Sequence, residues 1–480
     1  MRKPDAGGWL APAFGIVAAV TALRLVLLRF DQTDLFVDES QYWLWGQHFA
    51  FGYYSKPPLI AWVIGAVTTL AGSDAPFWVR APGAVFHAAT ALILAALAAR
   101  LHGGRVALLV AVSYVTLPMA ALGSLLISTD TIMAPFFAAA LYFHFRLLDA
   151  RSMRWALLAG GAVGMAFLAK YAAVYFLLGV ALGAIAIPSM RIAPRHAVAM
   201  LAAFALVILP NILWNMHHGF STLGHTLDNV GWVRPGAAPL AINLAGLATF
   251  FFGQFGVFGP VLFAALIWAA FRPRPTDAGR LLVFAIPAIA IVCAQALIDR
   301  AYANWAASAY FAGTIVAVAV LASRPRLMAT SLAINCAIAV ILPVMTLMPG
   351  LTLGRDKPLL SRYIGLDELS HQILDLAKAD GNLPIVADRR DVLADLFYTG
   401  QGAGLAIYAP QPKGAPENHY EQTHALPAGT SGTVLYVTEH PPVCDGLPVP
   451  PQPLDTAGGA YAKVPLAAYV IPAGCLDANQ

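Results

Sequence analysis

The sequence predicts a polytopic α-helical membrane protein that continues into a small α/β domain, and three observations lead there. Hydrophobic residues fill 59% of the 480 positions and charged residues 11%, with a mean hydropathy of +0.68, whereas globular domains carry about 25% charged residues. Apolar segments suited to crossing a bilayer recur as far as residue 348. From Gly350 onward Asp, Glu, Gly and Pro become frequent, and no segment is long enough to span. The expected domains are therefore 1–349 and 350–480.

A bilayer core takes about 20 apolar residues per helix. On that template eleven segments qualify, near 9–30, 78–100, 105–126, 131–148, 155–170, 171–188, 197–214, 240–270, 281–298, 307–323 and 327–348. The fifth and sixth are poorly separated, and the eighth contains a break signal at Gly256 to Pro260. Met1-Arg2-Lys3 has the charged front end of a signal peptide. The apolar run from Trp9 continues to Leu28 without a small-residue cleavage site, so it reads as an uncleaved first helix. Arg24 and Arg29 near its far end are expected to snorkel to the interface.

Basic residues alternate between connections. One side receives Arg2 and Lys3, Arg100 and Arg105, Arg146, Arg151 and Arg154, Arg191 and Arg195, Arg272, Arg274 and Arg280, then Arg324 and Arg326. The positive-inside rule makes that side cytoplasmic. The outer side receives the 31–77 loop, the turn around Asp130, the region near Lys170, the loop 215–238, Asp299 to Trp305, and the tail after Met348. Function is therefore expected outside the cytoplasm. Scattered arginines forming no stripe exclude a nucleic-acid partner.

Residues 40–49 and 57–72 are too short or interrupted to span. Trp43, Trp45, Phe49, Phe51, Tyr53 and Tyr54 give the first an interfacial character. Pro57-Pro58 opens the second, where proline is tolerated. In the tail, Leu383-Pro-Ile-Val-Ala, Leu405 to Tyr408 and Thr433 to Val437 read as strands and Asp391 to Tyr398 as a helix. That alternation predicts a small α/β domain. Cys293 and Cys336 fall inside spans; Cys444 and Cys475 share the outer tail, where an oxidising compartment permits a disulfide.

Chemistry concentrates in residues 36–62, FVDESQYWLWGQHFAFGYYSKPPLIAW, a polar and aromatic loop between apolar helices. Each residue also has an ordinary reading. Asp38 caps a helix from Ser40 to His48, Lys56 anchors at the interface, and the rings form an aromatic belt. Lys170 stands at a span end, where an ionisable group is either functional or snorkelling. Two further outer clusters, Trp214-Asn215-x-x-His218-Gly219-Phe220 and Arg300-Ala-Tyr302-Ala-Asn304-Trp305, line a groove or anchor at the belt. Asp299 and Arg300 also suit a mutual pair, worth about 0–1 kcal/mol when exposed.

The Asp38-Glu39 pair after the first helix, Lys56-Pro57-Pro58 in the same loop, and Ser128-Thr129-Asp130 between the third and fourth spans resemble the polyprenyl-phosphate-sugar GT-C glycosyltransferases. These are the protein O-mannosyltransferases and the lipid A aminoarabinose transferases. The resemblance covers roughly the first 350 residues. It implies a bacterial inner-membrane enzyme with a cytoplasmic N-terminus and a periplasmic site and tail domain. It further implies transfer from an undecaprenyl-phosphate sugar to lipid A, lipopolysaccharide, another envelope glycan or a protein hydroxyl.

Within it, Asp38 matches the first-loop acid, implying a general base or acceptor-orienting carboxylate, and Asp130 the second-loop acid, beside sugar or acceptor. Lys56 matches the lysine near the lipid phosphate, where a cation stabilises the departing charge. Glu39, Tyr53, Tyr54, Lys170, His218, Arg300 and Asn304 are the expected substrate-binding residues. One departure stands out. The aminoarabinose transferases carry a metal-binding acid before the lysine, and here the position is Ser55. A divalent metal is left open, with Glu39, His48, His217, His218 and His225 as alternative ligands.

Two other classes compete. Ionisable residues in multispan proteins also mark transport pathways. Transporters tend to show repeated halves with broken helices, and no repeat is visible while the polar residues share one face. The second competitor is a catalytically silent member that binds lipid or scaffolds a polysaccharide complex.

Overall fold

The computed structural model describes residues 8–229, 242–272, 276–354 and 357–478. Arg2, Lys3 and Arg274 from the cytoplasmic set, and residues 230–238 of the outer loop, lie outside the described residues.

The apolar segments form helices wherever they are described. In chain order, α1 (Leu10–Arg29) is followed by α2 (Val37–Gly46), α3 (Leu59–Ala71) and α4 (Pro76–His102). Next come α5 (Gly104–Val115), α6 (Pro118–Leu122), α7 (Thr129–Ala150), α8 (Met153–Ala169), α9 (Val174–Ala186), α10 (Pro194–His217) and α11 (Ser221–Asn229). The membrane part ends with α12 (Leu244–Phe258), α13 (Pro260–Ala270), α14 (Thr276–Ile298), α15 (Ala309–Leu321) and α16 (Pro325–Thr346). Six of these, α1, α4, α7, α10, α14 and α16, are long and apolar enough to cross a bilayer, and α12 with α13 makes a bent pair.

The breaks have local causes. The segment expected as one span at 105–126 is two helices, because a residue before proline is pushed out of the helical region and Leu117, before Pro118, is extended at ψ 141°. The 116° bend between α12 and α13 falls at Gly259, with φ 87°. The positive φ favours glycine, and a Cβ there would also lie 2.3 Å from Asn335 Oδ1, so that side chain would have to move. Lys170, extended at φ −155° and ψ 130°, separates α8 from the short turn Tyr171–Ala173 that leads into α9.

The described chain forms two compact units. The first comprises residues 8–29, 56–60 and 80–343. Here Arg24 corrects the snorkelling expectation. It is buried, and donates to the Val115 carbonyl at 2.5 Å and Ser124 Oγ at 3.2 Å. Because α5 stops at Val115, its last carbonyls need donors, and a cation suits a helix C-terminus. Arg29 is exposed at the helix end.

The second unit gathers residues 30–55 and 61–79 with the tail from Val344. The tail holds α17 (Leu366–Ala379), β1 (Ile385–Ala387), α18 (Arg390–Thr399), β2 (Ile407–Tyr408), α19 (His419–Thr423), β3 (Thr433–Thr438), β4 (Val443–Cys444), β5 (Leu447–Pro448), β6 (Ala467–Pro472) and α20 (Gly474–Ala478). Its sheet runs β2-β1-β3-β6, parallel except for antiparallel β6, with Ile385 opposite Ile407 and Leu435. Val386, Val434, Tyr469 and Ile471 anchor the core on one side. Cys444 and Cys475 form a disulfide, with Cα atoms 5.3 Å apart.

The aromatic piece at 40–49 departs from the interfacial expectation. Trp43 and Trp45 are buried, whereas Phe49 and Phe51 are exposed. Trp45 stacks on Tyr53 at 5.0 Å and meets His419 edge-on at 5.6 Å, so the second unit's own side chains cover α2.

Candidate functional site

The residues expected from the sequence fall in two clusters, one in each unit. In the first unit, Ser128 accepts the Thr131 N–H and opens α7, which sets Asp130 in the helix's first turn. A carboxylate is favoured there by the helix dipole. Lys170 Nζ lies 2.6 Å from Asp130 Oδ2, and the two side chains are 19% and 12% exposed. Asn304 Nδ2, from the turn Ala303–Ala306, donates to the same oxygen at 2.9 Å. Three segments separated by up to 174 residues thus converge on one carboxylate oxygen.

Other expected residues of this unit stand differently. Arg300 is exposed, with its guanidinium 6.0 Å from the Tyr302 ring centroid. His218 bonds through Nδ1 to the Trp214 carbonyl at 2.7 Å and stacks on that indole at 3.9 Å. Tyr171 donates to Asn211 Oδ1 at 3.1 Å and ties the turn after Lys170 to α10. Lys56 is partly buried ahead of α3.

The second cluster is built on α2. The capping expectation is corrected: α2 begins at Val37, and Glu39, not Asp38, turns back to accept the Phe36 N–H at 3.0 Å. Glu39 is buried. Asp38 instead accepts from Arg390 Nη2 at 2.5 Å, and the same guanidinium donates through Nε to Gln41 Oε1 at 2.9 Å. The Asp38 side chain keeps 41% exposure, so it remains accessible to a substrate. Burial works against the Arg390 charge, but the Asp38 carboxylate and its hydrogen bond outweigh it and raise the pKa above the ordinary value.

Both tyrosine hydroxyls are engaged with backbone. Tyr53 donates to the carbonyls of Trp45 (2.9 Å) and His48 (2.8 Å), and burial pushes its hydroxyl up to about 12. Tyr54 donates to the Pro416 carbonyl at 2.8 Å, tying the loop to the tail. His419, against Trp45, is pushed down to about 3 by burial and the nearby His424, Arg390 and His48, so it is neutral.

Among the described residues, no three His, Cys, Asp or Glu side chains gather to hold a metal ion. Ser55, where the resemblance implies an acid, is buried, and Glu39 is committed to its helix start. Among the described residues, the position where the resemblance implies a metal-binding acid therefore carries no carboxylate.

Sequence reasoning missed Gln41 and Arg390. Gln41 was legible as the residue one turn beyond Asp38 on the same helix face. Arg390 carried a subtler signal, a cation at a helix start where the dipole favours anions.

Residues 55–214 match the family profile described as dolichyl-phosphate-mannose-protein mannosyltransferase. Over 468 residues the chain is 42% identical to the lipid A galacturonosyltransferase RgtD of Rhizobium johnstonii, covering 96% of this chain and 98% of that protein. The fold is similar to that of ArnT from Cupriavidus metallidurans. Its undecaprenyl phosphate complex aligns with a TM-score of 0.63 at 13% identity, covering 96% of this chain and 99% of that one. Its apo state aligns with a TM-score of 0.60 at 13% identity, covering 88% and 93%.

Proposed function

The chain belongs to the GT-C glycosyltransferases that use lipid-phosphate sugars, and from that premise we propose that it transfers galacturonic acid from a polyprenyl phosphate to lipid A at the periplasmic face of the bacterial inner membrane. The observation that carries this reading is the 42% identity to a lipid A galacturonosyltransferase across 96% of the chain. The chain is a multi-pass membrane enzyme; sugar, acceptor and membrane side are the proposal. The side assignment is supported by the arginine-bearing connections opposite Asp38 and Asp130.

The reaction is a single displacement. The acceptor hydroxyl oxygen bonds to the anomeric carbon while the bond from that carbon to the phosphate oxygen breaks. The electron pair of the broken bond leaves with the lipid phosphate, and the hydroxyl proton passes to Asp38. Positioned proton transfer of this kind contributes roughly 10²- to 10⁴-fold. Lys56 is assigned to the departing phosphate, whose growing charge a cation stabilises. Asp130, held by Lys170 and Asn304, is assigned to the sugar or acceptor hydroxyls. Arg300, exposed and 6.0 Å from the Tyr302 ring centroid, offers a cation suited to a uronic carboxylate.

The test is transfer in reconstituted membranes from a panel of polyprenyl-phosphate sugars to lipid A and to membrane proteins, comparing wild type with Asp38→Asn. Galacturonosyl lipid A that forms with wild type and not with the variant supports the reading. Transfer of another sugar, transfer to protein, or full turnover by folded Asp38→Asn would overturn the corresponding part.

A further inference from the structure

α18 begins against an electrostatic rule. A helix N-terminus carries partial positive charge and favours anions, yet Arg389 and Arg390 stand at the N-cap and first position of α18. Arg389 has acids of its own nearby, Asp391 at 2.6 Å and Glu439. Arg390 reaches across to α2, to Asp38 Oδ1 and Gln41 Oε1. These acceptors lie three residues apart on one helix face, and a planar guanidinium fork meets both at once, which a lysine ammonium does not.

Anchorage does not explain this contact. The Asp38 and Arg390 side chains are only partly buried, with 41% and 40% exposure, and ion pairs that water still reaches add only about 0–1 kcal/mol. The far end of α18 is fixed to the same layer by other means. Tyr398 meets Trp43 edge-on at 5.0 Å and donates to the Asp74 carbonyl at 2.7 Å. Trp43 Nε1 and Gln401 Nε2 donate to the two Asp74 carboxylate oxygens at 2.8 and 3.2 Å. With the helix docked without it, the Arg390 contact is available to orient the Asp38 carboxylate.

We propose that Arg390 is a positioning residue of the transfer reaction: it holds the Asp38 carboxylate in the orientation that takes the acceptor proton, so the tail domain takes part in turnover through Asp38. This rests on the reading of Asp38 as the base. Gln41 is the second anchor, fixing the guanidinium so that the carboxylate meets a set direction.

The experiment uses the full-length protein reconstituted with polyprenyl-phosphate galacturonate and lipid A, and measures kcat and donor KM for Arg390→Ala, Arg390→Lys, Gln41→Ala, Tyr398→Phe and Asp38→Asn. Misplacing a reacting group by about 1 Å costs on the order of 100-fold, so Arg390→Ala is expected to lower kcat by about 10- to 100-fold with KM unchanged. Arg390→Lys recovers part of the loss, Gln41→Ala shows a smaller loss in the same direction, and Tyr398→Phe turns over like wild type. Wild-type kcat in folded Arg390→Ala overturns the proposal, as does a loss confined to KM or one that Tyr398→Phe reproduces. Should Arg390→Ala not fold, wild-type kcat in both Arg390→Lys and Gln41→Ala overturns it instead. Full turnover by Asp38→Asn removes the base assignment itself, and this inference with it.

Discussion

Lys170 Nζ stands 2.6 Å from Asp130 Oδ2, with both side chains mostly shielded from water. Lys170 is the one extended residue between α8 and the turn that opens α9, so its position depends on that break as much as on the pair. Asn304 shares the same oxygen, which leaves Asp130 oriented from two sides.

Removing one member of this pair strands the other. Lys170→Ala is expected to lower stability by on the order of 2 kcal/mol, below the range for a fully buried pair because some exposure remains. Turnover should fall with it. Asp130→Asn/Lys170→Ala should cost less than the sum of the single variants, with a coupling of about 1–3 kcal/mol. Thermal unfolding of the four proteins in one detergent checks this, and additivity would show that the two groups act independently.

Asp395 supplies a pH dependence in the second unit. It is buried on α18, accepts from Thr399 Oγ1 at 3.0 Å, and burial raises its carboxyl from 3.8 to about 6, with Asp34 and Asp367 adding to the shift. Between 3.8 and about 6 the folded state holds a proton that the unfolded state has lost. Stability from this group is therefore full below 3.8 and is lost as pH rises through about 6. The cost at neutral pH is on the order of 3 kcal/mol. Asp395→Asn should gain stability relative to wild type as pH rises from 4 to 7, measured by denaturant unfolding across that range. His419, pushed down to about 3, acts with the opposite sign in wild type and variant alike and cancels in the difference.

The Cys444–Cys475 disulfide ties β4 to α20 across 31 residues. Closing a loop of that length constrains the unfolded chain by about 3–4 kcal/mol. Cys444→Ser is expected to lower the unfolding midpoint of the second unit, and dithiothreitol should reproduce the shift in wild type without shifting the variant further. Equal sensitivity of both proteins to the reductant would contradict a role for this bond.

What the sequence disclosed follows the range of the forces involved. Continuous apolar runs such as 9–30 and 131–148 carry their own signal, because a bilayer demands every position; they form α1 and α7. The strands at 385 and 433 are legible from short β-branched runs, and α17 carries a weaker signal, with Leu366, Leu369, Ile373 and Leu374 sharing a buried face between first-turn acids and Lys378. Asp38, Asp130 and Lys170 stood out as charges beside apolar helices. Their partners did not, since Arg390 lies 352 residues from Asp38 and only folding of the tail brings it to α2. The burial of Trp43 and Trp45 was hidden for the same reason. An aromatic helix suits a membrane interface and a protein interior equally, and the ring of Tyr398 decides between them.

A backbone contact fixes how closely α2 meets α3. Gly46 and Gly65 face each other where α2 meets α3, and a Cβ on Gly65 would lie 2.4 Å from the Gly46 carbonyl oxygen. A Cβ on Gly46 would lie 2.9 Å from the Ala61 oxygen and the Gly65 nitrogen. These obstacles are backbone atoms, so no side chain can rotate away; the helices must separate. Overpacking of this kind costs about 1–3 kcal/mol. Gly65→Ala should therefore lower the unfolding temperature and, by moving the helix that carries Asp38, reduce kcat more than donor KM. If Gly65→Ala unfolds at the wild-type temperature with undiminished kcat, the close approach does not set the position of α2.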